Sequence, residues 1–312
     1  MPASAAGAVA AIGNFDGVHR GHRAVLAAAQ VAAAARGAPF AVLTFEPHPR
    51  RFFAPGAPPF RLASFRSKVR LLASAGVEAL FSLKFDRAFA SLSAPDFIGE
   101  VLVRRLKLGG VAVGADFAFG HRRSGDVELL RRLGAAHGLS VTVIDAVRAA
   151  GRMASSSAVR ERLLAGDPKG AAAVLGHWWE VDGRVRQGDR RGRRIGFPTA
   201  NLNLGDLLLP RLGVYAVRVG LSAGDGVRWH DGVANLGRRP TFGAEDVRLE
   251  AHLFDFDGDL YGRQARVALV DFLRPEQKFP DIGALRSQIA RDGERARAVL
   301  KAAEHAQGRF DG

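Results

Sequence analysis

A chain of 312 residues is long for one hydrophobic core and comfortable for two. Its 47% hydrophobic and 24% charged residues are ordinary for a soluble globular protein, and no apolar run approaches the roughly 18 residues of a membrane span. The absence of cysteine excludes disulfides and thiolate metal sites and fits a reducing, cytoplasmic compartment. The opening MPASAAGAVAAIG lacks the basic residues of a secretory leader.

The net charge of +14 favours anionic partners. Six of the 45 basic residues are lysine, which leaves 39 arginines spread along the whole chain. That distribution reads as genomic base composition rather than as a nucleic-acid patch, and nucleotide phosphates call for the same charge. The expected partners are small molecules, with no nucleic acid and no membrane, in a monomer or weak homo-oligomer.

In chain order, the strand VAAI (Val9–Ile12) precedes a helix from about Gly21 to Ala35. FAVLTF (Phe40–Phe45) is the next strand, and Ser64–Gly76 has apolar residues at helical spacing. A strand at Ala79–Leu83, a helix around Asp96–Leu106, the strand GGVAVGADF, the helix ELLRRLGAAHG and the strand Leu139–Val147 follow. This alternation predicts a parallel α/β sheet with ligands at the carboxyl ends of its strands, where GNFDG and GADFAFG lie. Two short helices come next, the first ended by Gly166 and the second opened by Pro168. From Trp178 onward, short strands broken by Gly, Asp and Pro predict an antiparallel barrel. Asp281 to about His305 reads as an amphipathic terminal helix. The expected domains are 1–172 and 173–312.

AIGNFDGVHRGH (Ala11–His22) places His19 and His22 three positions apart, just after a glycine-rich turn. Such a pair can bind zinc, although a third ligand at zinc spacing is missing. It can serve as a cap or core element. It can also donate to a phosphate from one helix face, with Gly13 and Gly17 admitting a ligand to the backbone and the helix N-terminus attracting anions. Asp16 suits an Asx-turn as well as a ligand role.

GNFDGVHRGH resembles the signature of the nucleotidylyltransferase superfamily, a variant of H-x-G-H, and its FDG form is similar to the amino-terminal module of bacterial FAD synthetases. TFEPHPR (Thr44–Arg50), VGADFAFGHRRSGD (Val113–Asp126) and ASSSAVRERL (Ala154–Leu163) carry the same resemblance. The resemblance implies a Rossmann-like nucleotidylyltransferase domain in which FMN attacks the α-phosphorus of ATP and pyrophosphate leaves. It implies that Gly13, Asn14, Phe15, His19, His22, Gly114, Asp116, Phe119, Ser155, Ser156, Ser157 and Arg160 bind ATP, with His19 and His22 catalytic. Asp116, Phe117, Phe119 and Gly120 would line the nucleotide or flavin pocket, and His48 would approach the flavin phosphate. The family usually reads S-S-T where Ser157 stands, and a polar or basic residue where Ala118 stands. The serines also suit a helix cap.

GRRIGFPTANLNL (Gly192–Leu204) is the second anchor. After Pro198, the Thr199 hydroxyl and the Asn201 amide project to one side of an extended segment, as hard ligands for Mg²⁺ or as partners in a buried turn. In RLEAHLFDF, Leu249, Ala251 and Leu253 share one face and Glu250 and His252 the other. With GVANLGRRPTF and LEAHLFDFDGDLYGRQARV, these stretches look like the riboflavin kinase family, from about Trp178 to the terminal helix. That resemblance implies a β-barrel kinase with Glu250 as base, Thr199 and Asn201 holding Mg–ATP, Gly188, Gly192 and Gly196 in a loop over the phosphates, and Arg295 near the flavin. The whole chain is thereby expected to be a bifunctional enzyme using ATP as co-substrate and Mg²⁺ as cofactor, with riboflavin, FMN and FAD as substrates and products. The alternatives are a chain that keeps one activity, Ser157 and Ala118 marking the weaker half, or a nucleic-acid-binding barrel. Against the last, the chain has only two tyrosines and Trp178 and Trp179 sit together at the start of the barrel.

Overall fold

The computed structural model of the chain describes residues 5–186, 199–223, 226–241 and 244–307. They divide into one compact unit of Met1–Pro58 with Phe65–Ser155 and another of Pro59–Ser64 with Ser156–Gly312.

In the first unit, β1 (Val9–Ile12), β2 (Phe40–Glu46), β3 (Ala79–Lys84), β4 (Gly110–Gly114) and β5 (Ser140–Ile144) form one parallel sheet in the order β3-β2-β1-β4-β5. Between them run α1 (Arg20–Ala35), α2 (Pro49–Phe53), α3 (Phe65–Ser74), α4 (Arg87–Ala90), α5 (Ala94–Asp96), a π-helical stretch Phe97–Arg105 and α6 (Val127–Ala136). All of β1 is buried, as a central parallel strand requires. Alternation sends Ala8, Ala10 and Ile12 to the layer holding Phe97, Ile98 and Leu130. Val9 and Ala11 face the opposite layer, with Val25, Leu26 and Ala29 of α1 and Leu71 and Leu72 of α3. Full burial of each such leucine contributes about 1.5–3 kcal/mol.

From β1 the sheet grows toward β2 on one side and β4 on the other. The crevice outside the carboxyl ends of these strands is the switch point where ligands bind in such sheets. The expected strand at Leu139–Val147 stops at Ile144. A small hairpin follows, β6 (Arg148–Ala149) with β7 (Arg152–Met153). Ala150 at φ 50° and Gly151 at φ 76° supply its turn. Positive φ at both central residues matches the twist of a tight hairpin.

The second unit opens with α7 (Ser156–Ala165) and α8 (Pro168–Leu175). Gly166, at φ 78°, follows the end of α7, and Asp167 caps α8 by accepting from the Gly170 N–H at 2.8 Å. The strands β8 (Glu180–Arg184), β9 (Ala200–Asn203), β10 (Gly213–Ala223), β11 (Gly226–Thr241), β12 (Ala244–Leu253) and β13 (Gln264–Arg274) form an antiparallel sheet in the order β8-β13-β10-β11-β12-β9. The Arg186 N–H bonds the Asn201 carbonyl at 2.9 Å, bringing the two ends together in a nearly closed barrel. Closure of this kind removes sheet edges. The terminal helix α9 (Ile282–Gln307) lays Ala296, Leu300 and Ala303 over Val214, Ala216 and Val270. Residues 59–64 join this unit because Trp179 donates to the Leu62 carbonyl at 2.7 Å and Ser64 to Asp182 at 2.7 Å.

Candidate active sites

The loop between β1 and α1 is held in an unusual backbone path. Phe15 and Val18 adopt φ of 47° and 44°, and Gly17 lies between them at 85°. Left-handed conformations at non-glycine residues cost energy and cluster at functional sites. Phe15 buries its ring in the core below the loop, at 1% exposure. His19 caps α1, its Nδ1 accepting from the His22 N–H at 3.2 Å. The cap and ligand readings of this residue are therefore compatible, since Nε2 stays on the opposite edge of the ring. The first turn of α1 contains no acidic side chain to offset its positive end.

The two imidazoles stack with centroids 3.6 Å apart. The His22 pKa is pushed well below its ordinary value, by burial first, then by His19 and by Lys68. Its Nδ1 is buried without a hydrogen-bond partner among the described residues, as is the Oδ1 of Asn14. Gly21 lies so close to the Ala154 carbonyl that a Cβ there would approach it to 2.9 Å. This glycine keeps the start of α1 seated beside Ala154, next to Ser155.

At the carboxyl ends of β1, β2 and β4 opens a cavity of about 560 Å³. Gly13, Asn14, His48, Asp116, Phe117, Ala118, Phe119 and Gly120 all line it. His48 caps α2 through its Nδ1, which accepts from the Arg50 N–H at 3.1 Å. Gly114 ends β4 just before Asp116. His19 and His22 are not lining residues; they follow the loop that is. Phe117 and Phe119 stack at 5.4 Å. The sequence reading missed the rest of an aromatic wall, Phe45, Phe53, Phe85, Phe89 and Phe97. These residues come from separate elements, and no local spacing marks them. Arg50, Arg122 and Arg123 add positive charge to the same rim. The volume and lining suit a planar aromatic ligand bearing an anionic group.

Ser156, Ser157 and Arg160 belong to α7 in the second unit, where the Nε of Arg160 donates to the Phe60 carbonyl at 2.8 Å.

The barrel holds a cavity of about 320 Å³, lined by Thr199, Asn235, Glu250, His252, Arg274, Glu276 and Asp292 among others. Leu249, Ala251 and Leu253 turn inward at 0%, 0% and 5% exposure, so Glu250 and His252 occupy the other face, as alternation predicts. That face is a cavity wall rather than open solvent. Register places Glu250 between Asn235 on β11 and Asn201 on β9, and residues opposite one another in a sheet project to the same side. Asn235, which the sequence reading did not single out, donates to Glu276 at 3.4 Å. Asn201 is 5% exposed. Its Nδ2 donates to the Thr199 carbonyl at 3.3 Å, while its Oδ1 is buried without a partner among the described residues. Asn201 is not among the cavity's lining residues, but an orphaned amide oxygen in register with Glu250 and two residues from the Thr199 hydroxyl is the kind of donor a hard cation such as Mg²⁺ takes.

Arg295 does not line this cavity; it donates to the Leu273 carbonyl at 2.9 Å. Gly188, Gly192, Gly196 and Pro198 lie outside the described residues. No three His, Asp or Glu side chains converge as metal ligands among the described residues, and zinc at the histidine pair lacks its third ligand.

The FAD synthetase family model matches residues 1–158 and the riboflavin kinase family model residues 175–300. A bifunctional riboflavin kinase/FMN adenylyltransferase of Escherichia coli K12 is 45% identical over 286 residues, covering 92% of this chain and 90% of its own length. The protein so named from Pseudomonas fluorescens is 41% identical, over 96% of this chain and 95% of its own. A crystal structure described as a macrolide-efflux protein from Streptococcus pneumoniae superposes with a TM-score of 0.84 at 31% identity, over 95% of each chain. Among the described residues, no helix of the present chain is long and apolar enough to cross a membrane. On two matched modules, and on relatives aligned along nearly its whole length, the chain belongs to the bifunctional riboflavin kinase/FMN adenylyltransferase family.

Proposed function

We propose that the family's two activities occupy separate sites of this chain, adenylylation of FMN at the signature loop of the first module (1–172) and phosphorylation of riboflavin in the barrel of the second (173–312). The observation that carries this reading is the pair of separate cavities, one beneath an aromatic wall beside GNFDG and one around Glu250.

In adenylylation the nucleophile, a phosphate oxygen of FMN, is already an anion, so no base is required. It forms a bond to the α-phosphorus of ATP while the bond to the bridging oxygen breaks and pyrophosphate departs. The protein's task is alignment and charge neutralisation. The Gly13–Val18 backbone and the N-terminus of α1 receive phosphates. His19, with Nδ1 engaged at the cap, offers its Nε2 edge to the reacting phosphate, beside His22. Ser155, in the same unit as the signature loop, holds the leaving phosphates. Phe117, Phe119 and the other aromatic residues receive the flavin, and His48 approaches its phosphate.

In the kinase step a neutral ribityl hydroxyl attacks the γ-phosphorus of ATP. Glu250 orients that hydroxyl and accepts its proton, and ADP leaves. Thr199 and Asn201 would supply oxygen ligands to a Mg²⁺ carried with ATP, which would offset charge on the phosphates. Arg274 and Asp292, joined by three contacts of 2.7–3.0 Å, brace the wall opposite. A cytoplasmic location suits both ATP-dependent steps.

The test is a time course with riboflavin, ATP and Mg²⁺, with the flavins separated chromatographically. FMN accumulates first and FAD follows; FAD without intermediate FMN, or neither product, overturns the reading.

A further inference from the structure

Lys68 has no exposed surface. On α3 it precedes Leu71 and Leu72 by one turn, and those leucines pack beneath the sheet. The helix therefore turns Lys68 inward with them. Its Nζ meets Glu46 Oε1 at 3.1 Å and Thr44 Oγ1 at 3.5 Å, at the carboxyl end of β2. The Thr44 hydroxyl in turn donates to the Asn14 carbonyl at 3.3 Å. One cation thus connects two loops that line the first cavity, through Asn14 on one side and through the Glu46–His48 turn on the other.

Stability alone is a poor reason for this arrangement. Desolvating an ammonium is costly, and buried ion pairs can often be replaced by apolar side chains with no net loss. The loop it reaches, however, has Phe15 and Val18 in left-handed conformations, which persist only where surrounding groups impose them. Lys68 also contributes positive charge beneath His22.

We propose that Lys68 is a positioning residue for adenylyl transfer, holding the signature loop and the Glu46–His48 turn in the relative placement that aligns the two phosphates. The proposal rests on the reading of the signature loop as the adenylylation site.

The test measures FMN-to-FAD turnover in the full-length Lys68→Met, Lys68→Arg and Thr44→Val variants, with His22→Ala alongside. Misplacement of reacting groups by about 1 Å costs on the order of 100-fold. Lys68→Met should therefore lose about that factor in kcat, while KM for FMN, set by the aromatic wall, stays within about a factor of two. Lys68→Arg, which keeps the cation and its donors, should recover most of the rate. Thr44→Val should lose about tenfold in kcat, the effect of one hydrogen bond, and it decides the matter if Lys68→Met does not fold. Parental kcat in Lys68→Met or in Thr44→Val, with His22→Ala inactive, overturns the proposal. So does a Lys68→Met loss that Lys68→Arg leaves uncorrected. Full FAD formation by His22→Ala would instead remove the underlying site assignment, and the proposal with it.

Discussion

The His22 ring lies flat on the His19 ring, with centroids 3.6 Å apart and planes 19° from parallel, and the His22 N–H donates to His19 Nδ1. Two imidazolium charges at that separation would repel by about 5 kcal/mol at an effective dielectric near 20. The stack therefore resists double protonation. Burial, His19 and Lys68 together hold the His22 pKa well below its ordinary value.

A pH dependence of stability follows. In the unfolded chain His22 titrates near its ordinary value of about 6.5, whereas in the fold it stays neutral well below that. As pH falls through about 6.5, the unfolded state takes up a proton that the folded site refuses, so stability declines; above that pH the group makes no difference. Thermal melts between about pH 7.5 and 5 should show Tm falling, with His22→Asn shallower than the parent. Identical slopes would refute this origin.

Glu250→Gln removes the proton acceptor while keeping the shape of the barrel wall. Loss of a general base costs about 10²- to 10⁴-fold. Riboflavin phosphorylation should fall by that range, while FAD formation from supplied FMN continues at the parental rate. Assaying each half-reaction separately checks both parts.

Phe53 stands at the rim of the aromatic wall, 69% exposed, with its ring 5.7 Å from Phe85. Such exposure makes Phe53→Ala neutral to stability. An aromatic contact is worth about 1 kcal/mol, so KM for FMN should rise about fivefold with kcat of adenylylation nearly constant. An unchanged KM places the flavin elsewhere.

Asp292, 5% exposed, accepts from Arg274 through both oxygens and from Gln288 at 2.9 Å. Asp292→Ala leaves a guanidinium charge uncompensated in the cavity wall, at a cost of about 3–5 kcal/mol. A denaturant titration following the barrel should shift its midpoint downward accordingly. An Arg274→Met/Asp292→Leu double variant should recover much of that loss.

Local spacing carried most of the architecture. Apolar residues at periods of 2 and 3.6 marked the first unit's strands and helices, because side-chain direction repeats within a few residues. Gly166 and Pro168 marked the break between α7 and α8 for equally local reasons, one being free to take positive φ and the other fixed near a helical φ. The Glu250 face of β12 was legible in the alternation of RLEAHLFDF alone. β9 was not read as a barrel strand, since four residues carry too little pattern.

From its order of residues alone, this chain determined its sequence of elements, the histidine pair at a helix start and the acid on a strand face, since each depends on neighbours a turn or a pleat away. Only the folded arrangement decided that Lys68, in a stretch marked only by apolar residues at helical spacing, is fully buried against Glu46 and Thr44. It likewise decided that seven phenylalanines scattered over β2, α2, α4, the π-helical stretch and the loops form one wall, that Asn235, Glu250 and Asn201 share a row, and that residues 59–64 belong with the barrel. Those relationships depend on register and packing between distant segments, where the free energy of bringing residues together belongs to the whole core and not to any short stretch of it.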